Sequence, residues 1–235
     1  MIRILKKYLC VLAAIPFLLA STISSAFEVP GFTGFAAGIG FSGAAVEIAG
    51  TETDPEGTAV SGKSLEELSH PVIFGEARFK SASRLGLTVG LDFIPGSANF
   101  VTESKTDTDL TSTIDGTNSG TSTVTGEMKN HATLYIQPTL SITDVFSVYL
   151  SAGYILAQVE ANAKLVTSTN FVKRQVTNGT RLGAGIMTQH DNGFFVKLEG
   201  NVSDYEQLLF NTSEGTKVTA NVETESATIL IGKAF

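Results

Sequence analysis

The chain has 235 residues, a formal net charge of −7 and a single cysteine, Cys10. An acidic protein lacks the basic face that nucleic-acid binding needs, so no nucleic acid is expected as a partner. One cysteine cannot form an internal disulfide, which excludes a disulfide-stapled scaffold.

The first 26 residues have the organisation of a secretory signal peptide. Three cations near the start are followed by an apolar run and by the small residues Ser24 and Ala26. We predict a signal peptide over 1–26, cleaved after Ala26, and a single domain over 27–235. A retained membrane anchor is the alternative, but the run is shorter than the ~20 residues that a spanning helix needs. Cleavage would remove three cations and no acid, which takes the net charge to −10.

The rest of the chain is dominated by residues that alternate between apolar and polar or small. From Leu85 to Phe93, for example, every second residue is apolar, and the residues between them are Gly, Thr or Asp. Period-two alternation indicates a strand with one apolar face. The segments with this pattern are GFAAGIGFSGAA, VIFGEARFK, RLGLTVGLDF, HATLYIQPTLSI, FSVYLSAGYIL, RLGAGIM, FFVKLEGNVS and SATILIGKAF. They predict eight strands.

Short and long connections alternate between these strands. The short ones lie at 81–83, 143–144 and 190–193, and the last of them, HDNG, contains residues that tolerate the positive φ angles of tight turns. The long ones cover 50–70, 96–127, 160–179 and 204–217. Tight turns at one end and long loops at the other are typical of transmembrane β-barrels. The fold class predicted is therefore all-β, an eight-stranded antiparallel up-and-down transmembrane barrel.

The longest connection, residues 96–127, is rich in Thr and Ser, and its acids outnumber its one lysine. It has few apolar residues around which a core could form. We expect either a mobile, solvated loop or a hairpin that protrudes from the barrel rim.

The polar faces of the strands carry charged residues that nearly balance. An eight-stranded barrel has an interior just wide enough for side chains, and charges buried there must be paired. We predict a polar network in a closed or nearly closed lumen, formed by Glu76, Arg78, Asp92, Lys129, His131, Arg181, Lys197 and Glu199. The alternative places these charges on the wet outer face of a secreted, lipocalin-like barrel that binds a small apolar ligand.

Over residues 27–235 the chain resembles small bacterial outer-membrane β-barrels of the OmpA/OmpX and opacity-protein type. The most specific element is the last strand, SATILIGKAF, which resembles the family's C-terminal assembly signal at Ala227, Ile229, Ile231 and Phe235. Lys233 departs from that signal, in which its position is commonly aromatic or apolar. VKLEGNVSDYE, at 196–206, also resembles the family's next-to-last strand.

This resemblance implies a location in the outer membrane of a Gram-negative bacterium. The partners it implies are membrane lipid and lipopolysaccharide, periplasmic chaperones, the outer-membrane assembly machinery and an extracellular partner of the long loops. It implies a structural, surface-interaction or minor permeability role, with a diffusion porin as the alternative.

Residues that could support other functions are few. GIGFSG has the glycine spacing of a dinucleotide fingerprint, but no helical pattern follows it, so small residues in a narrow barrel explain it better. The histidines, His70, His131 and His190, lack a nucleophile or a carboxylate at a recognisable spacing, so we predict neither an enzyme nor a cofactor or metal site. Pro138 removes a ladder hydrogen-bond donor and predicts a bulge or an irregular strand end.

Overall fold

The computed structural model describes residues 32–53, 57, 59–80, 84–107, 120–164, 171–211 and 217–235. The predicted signal peptide and its cleavage site at Ala26 lie outside the described residues. The strands are β1 (Phe32–Thr53), β2 (Ala59–Lys80), β3 (Leu85–Asp107), β4 (Gly120–Ser141), β5 (Phe146–Lys164), β6 (Phe171–Gln189), β7 (Phe194–Tyr205), β8 (Leu208–Asn211) and β9 (Lys217–Ala234). Within the described part of the chain, no helix is long and apolar enough to cross a membrane.

The strands form one closed antiparallel barrel. Each of β1 to β6 pairs with the next strand along the chain, β7 pairs with β9, and β9 pairs with β1 from Thr53–Lys217 to Ala36–Ala234. The short strand β8 continues the position of β7, because it pairs with the upper part of β9. The predicted eight-stranded barrel is therefore confirmed, with one additional strand. Closure removes both sheet edges, which would otherwise remain open to pairing.

The apolar faces of the strands point out of the barrel. Ile39 and Leu150 on the outer wall are 66% and 63% exposed, whereas Lys197 is 1% exposed inside. A soluble barrel has the opposite arrangement, because water favours charges on the outer wall. An apolar outer belt with charges inside suits lipid, and this finding overturns the lipocalin-like alternative.

Seven of the nine strands, with 18 to 23 residues each, are about twice as long as a membrane requires. Transmembrane strands need ~9–11 residues, whereas β1, β2 and β4 each have 22 and β3 has 23. All strands extend away from the tight turns, which lie at 142–145 and 190–193. The segments predicted as long loops are therefore largely strand. In the longest of them, β3 and β4 form a hairpin whose pairing continues to Asp107–Gly120.

Above the membrane belt the barrel divides into two sheets. The described part of β2 pairs with β3 only from Lys80–Gly86 up to Ile73–Phe93, and β6 pairs with β7 only up to Gly179–Tyr205. Beyond these points the strands β3 to β6 form one sheet, which we call leaf A. The upper parts of β8, β9, β1 and β2 form the other, leaf B.

The two leaves enclose an apolar cluster inside the upper barrel. From leaf B it receives Val46, Ile48, Leu208 and Val222, and from β5 it receives Ile155, Ala157 and Val159. Tyr205 and the partly buried Met128 also pack there. Burial of each Val, Leu or Ile side chain in this cluster contributes about 1.5–3 kcal/mol. The interior is thus polar beside the lipid belt and apolar above it.

Register shifts occur at defined bulges. Asn130 has a φ of 52°, and the β4–β5 register is interrupted between Lys129 and Ala132. Gly96 has a φ of 92° inside a second irregularity of β3. Pro138, which predicted a bulge, lies within β4 opposite Leu87, and the β4–β5 register is the same on both sides of it. The interruption occurs at Asn130 instead, because Asn tolerates positive φ.

Candidate functional site in the barrel interior

An ion-paired cluster fills the lower interior. The fully buried carboxylate of Glu76 accepts hydrogen bonds from Lys197 Nζ, from Arg78 Nη2 at 3.0 Å and from the Tyr135 hydroxyl at 2.8 Å. Lys197 also donates to Gln137 Oε1 at 3.0 Å. These side chains come from three strands, β2, β4 and β7, and each occupies an inward position of its strand. Buried charges are tolerated only when paired in this way, so the cluster closes the lower lumen.

Aromatic rings surround this cluster. Phe74 and Phe195 lie edge to face with ring centroids 6.0 Å apart, and the Arg78 guanidinium lies 4.0 Å from the centre of the Phe195 ring. Both rings are almost completely buried. The cluster is therefore packed on its sides as well as neutralised, which leaves no room beside it for a wide aqueous path.

A second charged group lies higher in the interior. Arg181 Nη1 is 2.6 Å from Asp92 Oδ2, and its guanidinium lies 5.4 Å from the centre of the Tyr135 ring. Glu199 is buried on β7. His131 Nε2 and the Tyr205 hydroxyl share a hydrogen bond of 3.0 Å. The structure thus places seven of the eight predicted lumen residues inside the barrel.

The structure places the eighth residue, Lys129, outside the lumen, which corrects the prediction. Its neighbour Met128 packs against the interior cluster, so Lys129 lies on the opposite face of β4. Its Nζ is 2.7 Å from Glu127 and 3.3 Å from Glu160, which also pairs with Arg174. The physical reason is the bulge at Asn130, which shifts the inward positions from odd to even residues. A sequence pattern that assumes unbroken alternation cannot locate such a shift.

The ion pairs on this outer wall change the acidity of its groups. The hydrogen bond from Lys129 holds the pKa of Glu127 below its ordinary value, and the hydrogen bond from Arg174 does the same for the pKa of Glu160. The hydrogen bond to Glu127 raises the pKa of Lys129. All these groups lie on leaf A, outside the lipid belt, where they link β4, β5 and β6.

Between the charged interior and the apolar cluster lies a cavity of about 320 Å³. Its lower wall is polar and includes Ser42, Asp92, His131, Arg181 and Asn201. Its upper wall is apolar and includes Val46, Leu68 and Met128. Three buried polar atoms of the lower wall have no hydrogen-bond partner, namely His131 Nδ1, Arg181 Nε and Asn201 Oδ1.

The cavity reaches the barrel wall where β2 and β3 separate. Pro71 and Val72 of β2 and Ile94, Pro95 and Gly96 of β3 line it on that side. The last β2–β3 pair, Ile73–Phe93, lies immediately below. We call this gap the β2–β3 seam. No hydrogen bond between described side chains crosses it.

The corresponding gap between β6 and β8 is bridged. The backbone N–H of Leu209 donates to Gln175 Oε1 at 3.1 Å, and the N–H of Glu206 donates to the carbonyl of Asn178 at 2.8 Å. The two sides of the barrel therefore differ, and the opening lies on the β2–β3 side.

Sequence reasoning missed Tyr205 and Asn201 as interior residues. Asn201 occupies the inward phase of β7 two residues after Glu199, so the alternation already marked it. Tyr205 ends β7 beyond the alternating segment FFVKLEGNVS, and the resemblance of 196–206 to a next-to-last strand did not indicate that its side chain points inward.

The last strand presents the residues of the predicted assembly signal to the outside. Ile229, Ile231 and Phe235 are exposed, and Ala227 shares their face. Lys233 also points outward, where its Nζ lies 5.2 Å from the ring centre of Phe194 and 5.9 Å from that of Phe235. A lysine between two rings at the barrel end is compatible with lipid, because the stem packs on apolar groups while the charge reaches the interface.

Among the described residues, no group of three or more His, Cys, Asp or Glu side chains is arranged to hold a metal ion. The GIGFSG stretch lies within β1, where Gly38 and Gly40 approach the backbone of β9. It is a close strand contact, and no helix follows it.

An apolar outer belt, an ion-paired interior and a closed antiparallel sheet define a transmembrane β-barrel of the outer-membrane class. The chain belongs to the family described as outer membrane protein beta-barrel domain, whose model matches residues 10–229. The protein is accordingly located in the outer membrane of a Gram-negative bacterium. No curated protein matches the sequence.

Two solved structures are examples of what the chain is similar to. The outer membrane protease OmpT of Escherichia coli has 11% identity, with 88% of this chain and 99% of that chain covered and a TM-score of 0.49. Ail, the attachment invasion locus protein of Yersinia pestis, has 10% identity, with 86% and 99% covered and a TM-score of 0.40. Identities this low transfer no activity to this chain.

Proposed function

We propose that the protein is a non-enzymatic outer-membrane barrel that does not conduct and that holds a folded surface above the membrane for contact with an extracellular partner. The observation that carries this proposal is the pairing of the two leaves around an apolar core directly above an ion-paired interior. Ordering so much chain outside the membrane costs conformational entropy, and a barrel that served only as an anchor could end in short loops.

The closed interior supports the first part of the proposal. Glu76, Lys197 and Gln137 are each at most 3% exposed, and they come from three strands that face one another. Planar-bilayer recordings of the refolded protein should show no steady, large conductance. A stable open channel comparable to that of a general porin measured in parallel would overturn the closed-lumen proposal and favour the diffusion porin.

The orientation follows from the rule that tight turns face the periplasm. The predicted mature chain contains no cysteine, so a single introduced thiol reports one position. Gly57→Cys, between β1 and β2, should react with a membrane-impermeant maleimide on intact cells. The matched variant Asp144→Cys, in a tight turn, should react only after lysis. The reverse labelling would place the leaves in the periplasm and reject a surface role.

The surface role has its own test. The tip between β3 and β4, residues 108–119, can be replaced by a short Asn-Gly turn that leaves the paired strands intact. At equal surface levels, we expect cells with the shortened protein to lose the aggregation or surface attachment conferred by the full-length protein. Identical behaviour of the two strains in both assays would count against contact through this hairpin.

We further propose that lipopolysaccharide and outer-membrane lipid surround the outer belt, and that periplasmic chaperones and the assembly machinery recognise the β9 strand through Ala227, Ile229, Ile231 and Phe235. The exposure of the three larger side chains on one face supports this proposal. A cofactor is not part of the proposed function.

A further inference from the structure

The cavity at the β2–β3 seam is a binding site that the proposed surface role does not use. Its volume of about 320 Å³ is at the lower end of the range of ligand pockets, about 300–1,000 Å³. One wall of the cavity is apolar and the other is polar. The cavity therefore matches an amphiphile, which has one apolar part and one polar part. We propose that this cavity binds an uncharged amphiphile with a hydroxyl head, whose apolar chain extends towards the lipid through the β2–β3 seam.

The polar wall selects the head group. Asn201 Oδ1 is an acceptor without a donor, and Arg181 Nε is a donor without an acceptor. Asn201 is only 6% exposed, so water reaches it poorly. Buried polar groups without partners cost about 1–3 kcal/mol each, and a hydroxyl can both donate and accept. A hydroxyl head can therefore pair with polar groups of this wall that the protein leaves without partners.

The charges of the wall disfavour an anionic head. Arg181 is already paired with Asp92 at 2.6 Å, and Glu199 adds a second carboxylate to the lining. Apart from its imidazoles, the wall thus carries two carboxylates against one guanidinium. A fatty acid anion would add a third negative charge to a region of low dielectric constant, whereas an alcohol would not.

The seam explains where the chain of the amphiphile goes. Ile73, just below the gap, is exposed on the lipid-facing wall, whereas the outward residues above it, such as Ser69 and Glu67, are polar. The opening therefore lies at the boundary between the lipid belt and the water. An amphiphile held there keeps its head inside the barrel and its chain in contact with Val72, Ile94 and the membrane.

Two methionines provide a probe and an internal control. Met128 lines the cavity, whereas Met187 packs in the lower interior beside Arg78. In protein labelled with ¹³C at the methionine methyl groups and placed in lipid nanodiscs, 1-octanol should shift the Met128 resonance saturably and leave Met187 unchanged. No saturable shift at Met128, or equal shifts at both methionines, would overturn the proposal.

The head group and the seam are tested with two further probes. Octanoate should bind at least about tenfold more weakly than 1-octanol because of the carboxylates, and tighter binding of octanoate would contradict the assigned head group. 1-Hexadecanol is too long for the cavity alone, so a shift of Met128 by it supports the open seam. Binding of 1-octanol with exclusion of 1-hexadecanol would show that the cavity is closed.

Matched variants complete the test. Ala44→Phe places a ring in the cavity and should abolish the Met128 shift, whereas Ala184→Phe, on the lipid-facing wall, should preserve it. Asn201→Ala should weaken 1-octanol binding about fivefold to tenfold. The shift of the folded band on boiling verifies that each variant has folded. A folded Ala44→Phe protein that still binds 1-octanol would place the ligand elsewhere and refute the site.

Discussion

Lys197 on β7 and Glu76 on β2 form an ion pair across the barrel interior, with β9 and β1 between their strands. Their side chains are at most 1% exposed. The pair therefore joins opposite walls of the barrel at a point that water does not reach, and it stabilises the barrel by spanning the sheet as well as by neutralising charge.

Removal of one partner of this pair should be costly. Glu76→Gln leaves Lys197 and Arg78 without their carboxylate, and breaking a buried pair costs about 3–5 kcal/mol. The free energy of unfolding, measured by urea titration in lipid vesicles, should fall by that amount. Glu67→Gln, on the exposed face of β2, should change it little. The double variant Glu76→Gln with Lys197→Met should recover part of the loss, and a double variant no more stable than Glu76→Gln would show that the pair itself contributes little.

Gly90 should not tolerate a side chain. The Tyr135 ring lies over Gly90, and a Cβ atom there would overlap the ring. Tyr135 cannot easily move, because its hydroxyl is bonded to Glu76. We expect Gly90→Ala to reduce the free energy of unfolding by about 1–3 kcal/mol. Gly43→Ala is the control, since nothing lies within 4 Å of its added Cβ. Equal stability of the two variants would mean that the ring moves aside freely.

The core between the leaves should unfold separately from the membrane barrel. Ile155 is completely buried in it, and Ile155→Ala should cost about 2–5 kcal/mol. We expect faster protease cleavage of the extracellular strands while the barrel keeps its folded band on unheated gels. Val176→Ala removes an exposed side chain from β6 and should leave cleavage unchanged. Loss of the folded band in Ile155→Ala would instead show that leaves and barrel unfold together.

Acid should loosen the outer wall of leaf A. The pKa values of Glu127 and Glu160 are lowered in the folded protein by their hydrogen bonds to Lys129 and Arg174. The unfolded chain therefore binds more protons, and the stabilisation is complete above the ordinary pKa of 4.5 and is lost as the pH falls through the folded values.

Hydrogen-exchange protection factors of β4 to β6 measure this effect. From about pH 6 to about pH 3.5 the protection should fall in the wild-type protein. Glu160→Gln should have lower protection at the higher pH and a smaller change on acidification, whereas Glu47→Gln, on leaf B, should retain the wild-type response of leaf A. An unchanged pH response in Glu160→Gln would reject this cluster as the cause.

The terminal residue should matter for assembly. The N–H of Phe235 donates to the carbonyl of Phe35 at 2.8 Å, and its ring is exposed on the outer wall. Deletion of Phe235 removes both features and should lower the amount of protein in the outer membrane, as measured by quantitative blotting of membrane fractions. Phe235→Tyr keeps an aromatic ring and serves as the control. Normal levels of the deleted form would refute the role of this residue in the assembly signal.

The barrel itself could be predicted from sequence because lipid imposes a strict pattern. Residues such as Leu87, Val89 and Leu91 must face outward, and their alternation fixes the strand and its phase. The charged interior followed from the same phase, since Glu76 and Lys197 occupy inward positions. The alternation could not show which charges meet, because Lys197 and Glu76 are 121 residues apart along the chain.

The upper half could not be predicted in the same way. Outside the membrane both faces of a strand tolerate polar residues, so the hairpin of β3 and β4 has the composition of a loop. The seam and the cavity depend on where β2 stops pairing with β3. Nothing in the sequence distinguishes Ile73 and Phe93 as the last pair. The bulge at Asn130 reversed the phase and placed Lys129 on the outer wall.

Strand β9 takes part in both halves of the molecule, because it pairs with β1 over its whole length and with β7 and β8 on its other side. Until β9 is in position, the membrane barrel has two free edges and leaf B lacks its central connection between β1 and β8. The same chain segment therefore completes the membrane anchor and the external surface at once. No folding intermediate therefore carries a complete external surface on an incomplete barrel.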